Sequence, residues 1–76
     1  MSALDDLTRK LALKQTASKS TAKKWAQRTR ALVKEGKTSD EAAMIAAMEV
    51  FPSEFAPKDY RKGSVEALLD AIENIV

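Results

Sequence analysis

Few side chains in this sequence could make or break a covalent bond. The chain has no histidine and no cysteine, so it lacks the commonest general base, the thiol nucleophile and the commonest transition-metal ligands. A Ser–Lys dyad could be drawn among four neighbouring residues, Ser18, Lys19, Ser20 and Lys23. A catalytic lysine needs burial and a lowered pKa, whereas these lysines belong to a basic cluster typical of a solvated helix face. We therefore predict no catalytic residue here.

The acidic residues and the glycines also lack the spacing of a catalytic or metal site. Asp40 and Glu41 stand at a predicted helix start, where the helix dipole stabilises carboxylates. No acidic segment has the spacing of a calcium-binding loop, and the isolated glycines Gly36 and Gly63 cannot form a phosphate-binding loop. A chain of 76 residues can hardly enclose the cleft that a catalytic pair of carboxylates requires. We expect no enzyme activity, cofactor, metal or small-molecule substrate.

The charged residues are divided unevenly along the chain. Residues 7–34 contain nine basic and no acidic side chains, whereas residues 35–76 contain nine acidic and four basic ones. A helix rich in cations suits a phosphate backbone or an acidic protein surface, although it is also typical of a solvated face that the acidic half partly neutralises. The candidate contacts to phosphate or to an acidic partner are Lys19, Lys23, Lys24, Arg28, Arg30 and Lys34.

A second candidate surface is apolar. The segment after Thr38 contains more apolar positions than short neighbouring helices can cover, and methionines are adaptable groups that are common on binding surfaces. The alternative is that these side chains are simply core, which is the commoner fate of large apolar residues. The candidate protein-binding residues are Leu13, Met44, Met48, Phe51, Phe55 and Tyr60.

Helical periodicity and capping residues place two helices in the first half. Ser2 is a candidate N-cap for a first helix. The hydroxyl-rich stretch 16–21 weakens helix propensity, and we favour a break there with Ser18 or Ser20 as the next cap. The second helix then runs to about Glu35 and ends at Gly36. One continuous helix of more than thirty residues is the alternative.

Two further helices are predicted in the second half. Thr38 and Glu41 form a capping-box pattern, and Pro52 stops the helix that follows. That helix is apolar nearly all round, which is typical of a surrounded element. Ser64 is the predicted cap of a last helix, whose buried side comprises Val65, Leu68, Leu69, Ile72, Ile75 and Val76.

The fold class predicted from these patterns is all-α. We expect a compact three- to four-helix single domain over residues 1–76, with the third helix (about 39–51) central and no β-sheet. Residues 1–20 would form an N-terminal helix that is loosely attached or frayed. The predicted core comprises Leu7, Leu11, Trp25, Leu32, Ile45, Phe51, Leu68 and Ile72.

These observations favour a non-catalytic binding protein that docks onto a macromolecule. A protein partner is the first expectation, with the chain acting as a small inhibitor, regulator or adaptor, and a second copy of the chain is a further candidate. Nucleic-acid binding through the second helix is the alternative. In size and composition, with no residue pattern behind the likeness, the chain is similar to small regulators carried by phages and mobile elements. Asp5 and Asp6 argue against a signal peptide, Trp25 reads as core rather than membrane anchor, and we expect a cytoplasmic location.

Overall fold

Four α-helices account for most of residues 2–75, the part of the chain that the computed structural model describes. They are α1 (Ala3–Leu11), α2 (Lys19–Lys34), α3 (Ser39–Val50) and α4 (Val65–Glu73), with a short 3-10 helix at Pro57–Asp59. The Cα radius of gyration is 10.9 Å, close to the value of about 11 Å expected for a compact chain of this length. The predicted all-α fold without a β-sheet is confirmed for residues 2–75. The predicted burial of Val76 lies outside the described residues.

Local capping chemistry sets where the first three helices begin. In each, a hydroxyl oxygen accepts a 3.2 Å hydrogen bond from the backbone N–H three residues on: Ser2 from Asp5, Ser18 from Thr21, and Thr38 from Glu41. These bonds satisfy N–H groups that have no partner within the helix. The predicted break before α2 is therefore confirmed, and the alternative of one continuous helix is wrong. Gly36, with φ +107°, follows the end of α2 as predicted.

The predicted cap of α4 is wrong in its chemistry. Ser64 precedes the helix, but its backbone is left-handed, with φ +59°, and its side chain makes no capping hydrogen bond. A capping side chain needs an extended backbone to reach the first turn. Contacts from other elements hold the preceding residue instead, because Asp40 accepts from the N–H of Gly63 at 3.0 Å and the Lys10 ammonium donates to the Gly63 carbonyl.

Trp25 is at the centre of the interface between α2 and α3. Its side chain has no exposed surface, and its Nε1–H donates a 3.0 Å hydrogen bond to the carbonyl of Ala43. Small side chains let the two backbones approach closely, since the inner side of α3 is built from buried alanines: Ala42, Ala43, Ala46 and Ala47. The interface is thus filled by one large aromatic side chain set against a row of methyl groups.

Helix α2 packs against each of the other three helices, whereas α3 packs mainly on α2 and less on α4. The expectation that α3 is surrounded is wrong for its outer side, where Met48 is 53% exposed. Ile45, predicted to be core, is only partly buried. The other predicted core residues are buried: Leu7, Leu11, Trp25, Leu32, Phe51, Leu68 and Ile72.

The N-terminal segment is packed into the domain. Leu7 and Leu11 have no exposed surface, so α1 is a full member of the core. Beyond α1, the buried residue Ala17 donates a 3.0 Å hydrogen bond from its backbone N–H to the side-chain oxygen of Thr8, within α1. Within residues 2–75, no helix is both long enough and apolar enough to cross a lipid bilayer.

Candidate functional site

Arg30, one of the predicted phosphate contacts, is engaged by the acidic side of α4. Its guanidinium donates to both carboxylate oxygens of Glu73 at 2.9 and 3.0 Å, to Asp70 at 2.7 Å and to Glu66 at 3.2 Å. The hydrogen bond with Glu73 raises the pKa of Arg30, and the same bond lowers the pKa of Glu73. One cation therefore joins α2 to three carboxylates of α4 and is not presented to an outside phosphate.

Arg28, a second predicted phosphate contact, faces α3 instead. Its Nε donates to Glu49 at 2.8 Å and its Nη2 donates to the other carboxylate oxygen at 3.3 Å. This hydrogen bonding raises the pKa of Arg28. The two arginines thus connect α2 to α3 and α4. This agrees with the alternative interpretation, in which the acidic half of the chain partly neutralises the basic helix face.

The four predicted lysines keep their charge available. Lys19, Lys24 and Lys34 are exposed and Lys23 is half-buried. None of them makes an ion pair with another residue of the described chain. Three lie in the first two turns of α2 and one in its last turn, so the remaining positive charge sits near the two ends of the helix.

Three of the six predicted apolar contacts lie in the core. Leu13, Phe51 and Phe55 are 9%, 5% and 8% exposed, so their expected place on a binding surface is wrong. The left-handed backbone of Ala12, with φ +54°, turns the chain so that Leu13 packs inward. A single turn with a 3.0 Å bond from the Phe55 N–H to the Phe51 carbonyl folds Phe55 back in the same way.

The remaining apolar candidates on α3 form an exposed strip. Met48 is 53% exposed and is the one large hydrophobic residue of the described chain with an exposed side chain. Met44 and Ile45 lie one turn earlier and are partly buried, so the three share one side of the helix. Glu41 and Glu49 flank this strip, and both are exposed. We call Met44, Ile45 and Met48 the outer face of α3.

Tyr60, the last apolar candidate, lies in a cluster with Lys10, Asp40 and Gly63 that joins the loop before α4 to helices α1 and α3. We call this cluster the latch. Its hydroxyl donates a 2.7 Å hydrogen bond to Asp40, and the Lys10 ammonium lies 4.9 Å from the centre of its ring. Burial and this hydrogen bond raise the pKa of Tyr60. The bond from the Gly63 N–H, together with that from Tyr60, lowers the pKa of Asp40, whereas burial lowers the pKa of Lys10. The geometry indicates a structural role.

Sequence reasoning missed a depression of about 400 Å³ between α1, α4 and residues 61–64, the loop directly before α4. The residues that line it include the basic Arg9, Arg61 and Lys62 and the apolar Ala67, Leu68 and Ala71. We call this depression the α1–α4 pocket. The pair Arg61-Lys62 directly before Gly63 and a helix is the signal that could have indicated it, because such a position brings basic side chains to a helix end.

The chain is a small all-α domain in which two of the cations of α2, Arg28 and Arg30, form ion pairs with other helices. Among residues 2–75, no cluster of three or more potential ligand side chains is arranged to hold a metal ion. Comparisons with models of protein families, with curated proteins and with solved structures find no match for this chain.

Proposed function

We propose that this protein is a non-catalytic binding protein that docks onto another protein through the outer face of α3. The observation that carries the proposal is the exposure of Met48, which is 53% on a helix whose opposite side is buried alanine. A large apolar side chain in water is a source of binding free energy once a partner covers it. Met44 and Ile45, partly buried beside it, would extend the contact by about one helical turn.

The chemistry around this face favours a particular kind of partner. Glu41 flanks the apolar strip and makes no ion pair with the described residues, whereas Glu49 on the other flank is paired with Arg28. Methionine side chains adapt to irregular apolar surfaces. An amphipathic helix with basic residues beside its apolar stripe would complement both features. Because the strip spans little more than one helical turn, the contact suits a small regulator or inhibitor with a modest interface rather than a permanent subunit.

Nucleic-acid binding is the weaker alternative. Arg28 and Arg30, two of the six cations that such binding would use, are paired with carboxylates of α3 and α4. A phosphate approaching Arg30 would also meet the charges of Glu66, Asp70 and Glu73. Four lysines are left, which is a small number for tight backbone binding.

The test compares two variants that add the same charge at different places. Met48→Glu puts a carboxylate in the outer face of α3, and Gln27→Glu puts one on the exposed side of α2. A photo-crosslinking residue at position 48 is used in parallel with one at position 27, on the full chain, in extracts of the native host treated with nuclease. Far-UV circular dichroism checks that both variants are folded.

The proposal predicts that one protein is captured by the wild type and by Gln27→Glu, is lost with Met48→Glu, and cross-links through position 48. Concentration-dependent self-association that Met48→Glu abolishes would assign the same face to a second copy of this chain. Capture that survives Met48→Glu would contradict the proposal. Capture that nuclease removes, and that Lys24→Gln with Lys34→Gln weakens, would favour the nucleic-acid alternative instead.

A further inference from the structure

The α1–α4 pocket combines a cationic wall with an apolar floor. It has a volume of about 400 Å³, which is within the range of small-ligand pockets. The residues that line it include the basic Arg9, Arg61 and Lys62 and the apolar Ala67 and Leu68. A ligand held here would meet both positive charge and methyl groups. It shares no residue with the outer face of α3.

The cationic wall is built on a firmly held piece of backbone. The N–H of Arg61 donates to the carbonyl of Lys10 at 3.0 Å, and the Lys10 ammonium donates back to the Arg61 carbonyl at 2.7 Å and to that of Gly63. The N–H of Gly63 donates to Asp40 at 3.0 Å. Hydrogen bonds therefore fix the chain on both sides of Lys62. Because this backbone is already fixed, less conformational entropy is lost when a ligand binds.

Two of the three cations of the wall, Arg61 and Lys62, make no ion pair within the described residues, whereas Arg9 is paired with Asp6 and the charge of Lys62 acts on Asp40. The side chains of Arg61 and Lys62 make no hydrogen bond or ion pair with the described residues. The one acidic side chain among the lining residues is Asp6, which lies 3.9 Å from Arg9. Cations that converge on one depression, with a single carboxylate among them, create a local potential that attracts an anion.

We propose that the α1–α4 pocket binds a carboxylate that carries a short apolar group, as at the C-terminal residue of a peptide. The carboxylate would accept hydrogen bonds from Arg61 and Lys62, with the planar guanidinium able to bind both of its oxygens. The apolar group would cover Ala67 and Leu68. This site is independent of the proposed docking through α3, so either proposal can fail alone.

The probe is N-acetyl-leucine, which has one carboxylate and one isobutyl group. Binding is followed by ¹H–¹⁵N correlation spectra of the full chain, and the signals of Gly63, Ala67 and Ala71 should shift in a saturable way. N-acetyl-leucinamide, which is uncharged, is the matched control ligand. Acetate, which has no apolar group, should bind several-fold more weakly than N-acetyl-leucine.

A pair of double variants tests the cations. Arg61→Gln with Lys62→Gln should weaken N-acetyl-leucine binding at least about tenfold, because both charge-assisted contacts are lost. Lys24→Gln with Lys34→Gln removes the same charge from α2 and should leave the affinity unchanged. Equal binding of the uncharged amide, equal loss in the two double variants, or no saturable shift in the wild type would each overturn the proposal. Spectra of the free variants show whether they are folded.

Discussion

Trp25 holds the largest fully buried side chain of the described residues, and its replacement by phenylalanine should weaken the domain without unfolding it. The indole lies between α2 and α3, where its Nε1–H donates a 3.0 Å hydrogen bond to the carbonyl of Ala43. Phenylalanine keeps an aromatic ring in this interface. It removes the donor and one of the two fused rings.

Two terms set the size of the effect. Loss of the hydrogen bond costs about 1 kcal/mol, since the Ala43 carbonyl still accepts the helical N–H four residues later. The smaller ring leaves a cavity that adds about 1–2 kcal/mol where the neighbouring alanines cannot close it. We therefore expect Trp25→Phe to lower the free energy of unfolding by about 2–3 kcal/mol, and Trp25→Ala by about 3–5 kcal/mol.

These losses are large for this domain. A chain of 76 residues has a total stability on the order of 4–11 kcal/mol, so Trp25→Phe should remain folded and Trp25→Ala should approach unfolding. Urea denaturation followed by far-UV circular dichroism measures both, and the midpoint should fall while the slope stays unchanged. Met48→Ala is the control, because an exposed side chain should contribute less than about 0.5 kcal/mol. An unchanged midpoint for Trp25→Phe would refute the account of the α2–α3 interface.

Two further outcomes follow from the loop before α4. The pKa of Asp40 is lowered from 3.8 by the bond from the Gly63 N–H and then by that from Tyr60, so its contribution to stability is present above about pH 4 and is lost as the pH falls through the lower folded value. The urea midpoint of Asp40→Asn should therefore vary less than that of the wild type between about pH 5 and pH 3, and equal variation would argue against the latch. Ser64→Gly should raise the free energy of unfolding by about 0.5–1 kcal/mol, because glycine adopts the left-handed backbone without strain; a lower urea midpoint would contradict this.

The helix starts could be predicted because their determinants are local. Ser18 and Thr38 act on N–H groups three residues away, and any chain with those residues in an extended conformation can form the same bond. The prediction that Ser64 caps α4 was wrong for the opposite reason, because its conformation depends on distant residues. Asp40 and Lys10, far away in the sequence, hold Gly63 from outside and leave Ser64 left-handed. No local pattern contains that information.

The surfaces were harder to predict than the helices. The sequence of an amphipathic helix such as α4 shows which side faces inward. Helix α3 is apolar nearly all round, so its sequence does not distinguish the buried side from the exposed side. Nothing in the pattern distinguishes Met48, which is exposed, from Phe51, which is buried. The helical periodicity of α2 likewise predicts the side on which Arg30 lies, but it does not predict which helix packs against that side. Only the packing of α4 there brings three carboxylates to it.

The division of charge along the sequence therefore has a different meaning in the folded chain. The basic and acidic halves meet inside the molecule, through Arg28 with Glu49 and Arg30 with the carboxylates of α4. An outside phosphate at Arg30 would have to replace these bonds and leave three carboxylates beside it, so phosphate binding there opposes the fold. The outer face of α3 and the side chains of Arg61 and Lys62 carry no such conflict, because these apolar and cationic groups form no ion pairs in the described chain. Contacts made by Met48 and by the side chains of Arg61 and Lys62 would replace none of the described ion pairs, so binding through these groups is compatible with the fold.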